Sequence, residues 1–146
     1  MNVKVVFHSK TGNTKKVAEA MASAAGTSAI DIYHADSILS EQVDLLFVGD
    51  GMYYAGIDKS TKEFISKLDS KKIKCAAVFS TSGNAWSFGP TGISKRLERQ
   101  GVQVFHESFR CHGNAFGIAY PSRPNEEDLK NAAQFAKRVI AANSND

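Results

Sequence analysis

Cysteine is scarce in this 146-residue chain: only Cys75 and Cys111 occur, with no CxxC pair and no metal-type spacing to His8, His34, His106 or His112. That argues against a disulfide framework or a zinc site and for two reduced thiols. Long apolar runs are absent too. Nothing approaches the roughly eighteen residues of a membrane span, and the N-terminus enters a strand directly, with no charged segment followed by a long apolar run. A soluble cytoplasmic protein is therefore expected. Charge of one sign is also lacking, since Lys plus Arg total 18 against 15 for Asp plus Glu, a formal net charge of +3. Basic residues such as Lys15, Lys16, Lys71, Lys72, Lys95, Arg96 and Arg99 are spread along helical faces. No dense basic patch with interleaved aromatics occurs, so no nucleic-acid partner is expected. Finally, the chain has neither a GxxxxGK[ST] triphosphate loop nor a GxGxxG dinucleotide turn.

What the chain does contain begins at its N-terminus. Val3, Val5, Val6 and Phe7 form a β-branched and aromatic run, Ser9 to Thr14 follow as SKTGNT, and Val17, Ala20, Met21 and Ala24 then recur at helical spacing. The first amides of a helix lack intrahelical acceptors and carry partial positive charge, so a phosphate dianion is well solvated there. Ser9, Thr11 and Thr14 add hydroxyls, and Gly12 allows close backbone approach. An ordinary polar strand-to-helix turn would look similar over six residues. The rest of the chain must decide.

Strand and helix patterns alternate throughout. Strands are predicted at Ala29 to Tyr33, Asp44 to Gly49, Cys75 to Ser80 and Val102 to Phe109. Between His34 and Gln42 at most a turn or two of helix is expected. Thr61, Phe64, Ile65 and Leu68 mark a helix from about Ser60 to Leu68, and Pro90 opens another that stops at Gly101. The last helix has Asn125 as N-cap, Glu126, Glu127 and Asp128 at its positive end, and an apolar stripe of Leu129, Ala132, Ala133, Ala136, Val139 and Ile140. Residues 141–146 are expected to fray. At this length one domain burying about two-thirds of its unfolded surface is expected. Five strands alternating with helices imply a doubly wound α/β sandwich around a parallel sheet, with ligands beyond the strands' carboxyl ends where strand order reverses. Those ends carry HSKTGNT, GDGMYYAG and STSGNAWSFG, all rich in Gly, Ser, Thr and aromatics.

These three loops, in this order, resemble those of the flavodoxin family. The likeness runs from VVFHSKTGNTKKVAEAM through FVGDGMYYAGIDKSTKEF and FSTSGNAWSFGP to RPNEEDLKNAAQFAKRV. It implies a single short-chain flavodoxin-like domain over residues 1–146, a five-stranded parallel sheet of order 2-1-3-4-5, and FMN at the switch between strands one and three. The FMN phosphate would lie on Ser9, Lys10, Thr11, Gly12, Asn13 and Thr14. Met52, Tyr53, Tyr54, Ala55 and Gly56 would approach the isoalloxazine, with Gly56 supplying a peptide flip toward flavin N5 in the semiquinone. Thr81, Ser82, Gly83, Asn84, Trp86 and Phe88 would serve the pyrimidine end, Trp86 by stacking. The resemblance further implies a monomeric electron carrier working with redox partner proteins, a reductase and an electron acceptor. It implies no catalytic residue.

Other chemistries on this architecture fare worse. A phospho-acceptor receiver needs an acidic cluster at the ends of strands one and three, whereas strand one ends in His8, and a low-molecular-weight phosphatase needs a Cys in the first loop, which has none. An FMN-dependent oxidoreductase of the quinone-reductase or protoporphyrinogen-oxidase type stays open, because shuttles of this family are usually acidic and this chain is slightly basic. Arg110, His112 and Tyr120 follow strand five and could serve a substrate.

Overall fold

A computed structural model describes residues 1–52, 56–82, 89–113 and 122–144, with the side chains of 52 and 89–91 set aside. Five parallel strands run β1 (Val3–His8), β2 (Ala29–Asp31), β3 (Val43–Met52), β4 (Ile73–Ser82) and β5 (Phe109–His112). Their order in the sheet is β2-β1-β3-β4-β5, so the chain winds outward in both directions from the β1/β3 pair.

Strand alternation sends successive side chains to opposite faces. Val5, Phe7, Leu45, Phe47, Cys75, Ala77 and Phe79 meet α1 (Asn13–Ala25) and α4 (Glu126–Ser144) on one side. Val6, Leu46, Val48, Ala76 and Val78 meet α2 (Lys59–Ser66), α3 (Gly89–Arg99) and two short 3-10 turns, Ile32–His34 and Asp36–Ser40, on the other. Both faces are covered, which is why the central strands read as continuous apolar runs. Gly49 lies where the layers touch most closely: a Cβ there would stand 2.0 Å from Cε2 of Phe79.

Several predicted elements shift. The second strand ends at Asp31 rather than Tyr33, because the Asp31 carboxylate accepts from the Tyr33 amide at 2.9 Å and turns the chain into a 3-10 turn. The fifth strand is Phe109–His112, not Val102 to Phe109. Val104 does form a bridge to Ala76, but the ladder resumes only at Phe79 with Phe109. Three steps along β4 thus face five along the edge, and the two extra residues loop out. In α4 the buried stripe includes Phe135, while Ala133 is only half-buried, and residues 141–144 are helical where a loose tail was expected. Asn125 does cap α4. Its Oδ1 accepts from the Asp128 amide at 2.9 Å, and Asp128 Oδ2 accepts from the Asn125 amide at 2.9 Å.

Candidate functional site

Register brings the carboxyl ends of the three central strands together: His8 pairs with Asp50, and Asp50 with Ser80. Above β1 the SKTGNT segment turns into α1. Gly12 occupies the left-handed region at φ 90, which no β-carbon residue adopts comfortably. Ser9 Oγ accepts from the Gly12 amide at 3.0 Å, and Thr11 Oγ1 accepts from Asn13 Nδ2 at 3.0 Å. No side chain caps α1, and its first turn holds no acidic residue. A helix start of that kind favours an anion.

Thr14 is wholly buried, and its hydroxyl lies 2.7 Å from that of Thr81 on β4. This bond ties the first loop to the end of β4. It also leaves one of the two hydroxyl protons for another acceptor. Ser80 Oγ is buried without a hydrogen-bond partner among the described residues. Lys10 reaches from the same loop to Asp58, Nζ to Oδ1 at 4.0 Å.

The second loop is anchored by a buried polar network. Asp50, with no exposed surface, accepts from three donors: His8 Nδ1 at 2.8 Å, the Asp58 amide at 3.0 Å and Thr61 Oγ1 at 2.8 Å. A carboxylate only accepts, so the proton of that first bond sits on Nδ1. His8 Nε2 faces Asp58 Oδ2 at 3.6 Å. The Tyr33 ring meets the imidazole edge-on at 5.9 Å. The hydrogen bond to Asp50 raises the His8 pKa, against the opposing pull of burial, with the charges of Asp50 and Asp58 adding to the rise. Partial burial pushes Asp58 upward, but hydrogen bonds from Ser60 and the charges of His8 and Lys10 outweigh it and leave this carboxyl below its ordinary range. Asp58 also caps α2, accepting from the Ser60 amide at 3.0 Å and the Ser60 hydroxyl at 2.6 Å.

Of the residues expected at a site, Ser9, Lys10, Thr11, Gly12, Asn13 and Thr14 form one loop, and Thr81 and Ser82 stand beside it at the end of β4. Met52 closes β3, paired in register with Ser82. Gly56 is exposed at φ 85, with nothing within 4 Å of where a Cβ would stand. Tyr53, Tyr54, Ala55, Gly83, Asn84, Trp86, Phe88 and Tyr120 lie outside the described residues. The network of Asp50, His8, Asp58 and Thr61 was not foreseen as a site. One signal was available: His8 and Asp50 occupy the inward positions two residues after Val6 and Val48, where another core side chain is the default.

The order β2-β1-β3-β4-β5, the switch between β1 and β3 and the hydroxyl-lined loop above it define a flavodoxin-like α/β protein. A family model described as a flavodoxin domain matches residues 4–88. An uncharacterized protein of Methanocaldococcus jannaschii is 32% identical over 140 residues, covering 88% of this chain and 90% of that one. The chain belongs to the flavodoxin domain family. Among solved structures, a flavodoxin from the domain Archaea superposes with a TM-score of 0.83 at 19% identity, covering 99% of both chains. Oxidised Flavodoxin 2 from Bacillus cereus gives 0.75 at 17% identity over 97% of this chain and 99% of that one. No helix among the described residues is long and apolar enough to cross a membrane.

Proposed function

We propose that this protein binds FMN and carries low-potential electrons, one at a time, between redox partner proteins, a reductase and an acceptor, as a monomer in the cytoplasm. The observation that carries the reading is the uncapped start of α1, preceded by the Ser9–Thr14 loop and held beside the end of β4 by the Thr14–Thr81 hydroxyl pair. Ser9, Lys10, Thr11, Gly12, Asn13 and Thr14 would hold the phosphate. Met52, Tyr53, Tyr54, Ala55 and Gly56 would meet the ring from one loop, and Thr81, Ser82, Gly83, Asn84, Trp86 and Phe88 from the other. FMN, when bound, supplies one- and two-electron redox chemistry that no side chain here can provide. The positive φ of Gly56 supports a role for its peptide in hydrogen bonding that ring, since a glycine reorients there at little cost.

The test has two stages. Flavin released from the purified protein is identified by mass spectrometry: FMN is expected, and FAD as the tight ligand would overturn the reading. In Thr14→Val, one hydrogen bond of about 1.5–3 kcal/mol to a charged group is lost, so FMN affinity falls roughly ten- to a hundredfold. Photoreduction followed by visible absorbance should then pass through a one-electron-reduced flavin, with a lower yield in Gly56→Ala. Direct passage from oxidised to fully reduced flavin would instead support an FMN-dependent oxidoreductase of the quinone-reductase or protoporphyrinogen-oxidase type.

A further inference from the structure

Between α2 and α3 lies a groove of about 290 Å³. Lys62 of α2 and Lys95, Arg96 and Arg99 of α3 line it, together with Gly56 and Ile57 at the end of the second loop. At 3.6 residues per turn, Gly92, Lys95, Arg96 and Arg99 share an arc of about 100° on α3. Ile93 and Leu97, on the adjoining arc, are buried against the sheet. Glu98, which lies among these residues in sequence, falls outside the arc.

Six cations elsewhere stand beside carboxylates, among them Lys59 by Glu63 at 3.8 Å, Lys15 by Glu19 at 3.9 Å, Arg138 by Glu107 at 3.6 Å, and Arg123 by Asp128. Among the described residues, none of the four groove cations has a carboxylate within ion-pair distance. A position in the last turn of α3 accounts for Arg96 and Arg99 through the helix dipole. It does not account for Lys62 on a different helix, nor for the convergence of all four on one concavity.

The groove also abuts the candidate flavin site. A Cβ on Gly92 would stand 3.1 Å from Ile57 Cδ1, so the missing side chain lets Ile57 lie against α3 and joins the groove to the Gly56 loop. Four uncompensated cations favour an anionic occupant. Charged groups reaching out on flexible stems from two helices suit carboxylates of a protein surface. Such contacts steer encounter and hold short-lived complexes, as an electron carrier requires.

We infer that this groove docks an acidic protein redox partner, whose carboxylates neutralise Lys62, Lys95, Arg96 and Arg99 while its redox centre comes up to the Gly56–Ile57 loop. The inference rests on the electron-carrier reading. In the transfer, the reduced flavin loses one electron and the partner's oxidised metal gains it.

The probe is an acidic rubredoxin, with a basic c-type cytochrome as its counterpart. First, rubredoxin is titrated into the oxidised protein, and into protein freed of flavin, with amide shifts as the readout. Shifts are expected at Lys62, Lys95, Arg96 and Arg99, and they should vanish on raising salt from about 20 to about 500 mM. Second, dithionite-reduced protein is mixed with ferric rubredoxin in stopped flow. The second-order rate should fall about tenfold over the same salt range. Lys95→Glu/Arg96→Glu/Arg99→Glu should slow wild-type transfer at least about tenfold at low salt, flatten the salt dependence and speed transfer to the cytochrome. Lys62→Glu, half-buried on the opposite wall, should move both rates in the same directions by less.

Wild-type rates and shifts in the charge-reversed proteins would overturn the inference. So would groove shifts produced by NADPH and not by rubredoxin, which would make this a nucleotide site. A purified chain that holds no flavin would sink the carrier reading, while the titration of flavin-free protein would still test the groove.

Discussion

Two adjacent rows of the same sheet differ sharply. On the face toward α2 and α3, β1, β3 and β4 set Val6, Val48 and Val78 side by side. Two residues further along each strand stand His8, Asp50 and Ser80, equally buried. Each valine in the first row contributes roughly 1.5–3 kcal/mol by leaving water. In the second row a carboxylate and an imidazole lose hydration at a cost of several kcal/mol per ion, and only good partners offset it. Asp50 has three such partners, and Ser80 Oγ has none among the described residues. Replacing such a buried pair by well-packed apolar residues is often neutral or stabilising. The polar row stands at the switch point, at the end of the sheet that carries the loops.

The largest expected effect lies in the apolar part of the sheet. Phe47 is fully buried and packs edge-on against Phe135 at 6.3 Å. Phe47→Ala should lower unfolding free energy by about 3–5 kcal/mol, measured by denaturant titration, while flavin affinity of the folded fraction stays near wild type. A large loss of affinity would show that the two regions are not energetically separate. The next effect is smaller and falls on the polar row. Asp50→Asn keeps the shape and one acceptor oxygen but loses the charge, so about 1.5–3 kcal/mol is expected, the range for hydrogen bonds to charged groups. Here affinity should drop as well, because the Asp58 amide and Thr61 are held by that carboxylate. Equal stability of Asp50→Asn and wild type would mean that the network contributes no net energy.

The same contrast governs what could be read from the sequence. The apolar rows announce themselves: DLLFVG and CAAVFS need a sheet covered on both faces, and alternation with helices makes it parallel. The hydroxyl-rich loop between β1 and α1 was equally visible, because Ser, Thr and Gly cluster between a strand and a helix. His8 and Asp50 were not, since polar residues at strand ends look like the start of loops and their partnership spans 42 positions. The fifth strand was misplaced for a related reason. VQVFHESF holds enough β-branched and aromatic residues to suggest a strand, but the two residues that loop out are set by where β4 offers its next free edge, which no local pattern encodes. Phe135 was missed because Ala133 was taken as the residue beside Ala132, although position 135 lies three residues after Ala132 and next to Ala136.

The smallest effect is also the one that isolates a single group. His8 has a pKa raised above its ordinary 6.5, first by its hydrogen bond to Asp50, with burial opposing and Asp58 assisting. The folded chain therefore holds this proton more tightly than the unfolded one. Below pH 6.5 both states are protonated and the stabilisation is fully present. As pH rises from there through the folded pKa, the unfolded chain releases the proton first and stability falls, with a slope that one proton limits to about 1.4 kcal/mol per pH unit. Above the folded pKa the contribution is gone and the curve flattens. Lys10 opposes protonation and Asp58 favours it, so Lys10→Gln should shift the falling segment to higher pH, and Asp58→Asn should shift it lower. His8→Gln should remove it. The measurement is unfolding free energy by urea titration between about pH 5.5 and about pH 9, where the ordinary carboxylates are ionised throughout. A wild-type curve that rises with pH there would mean that the fold holds His8 neutral, and a flat one that its pKa is the same folded and unfolded; either would overturn the raised pKa.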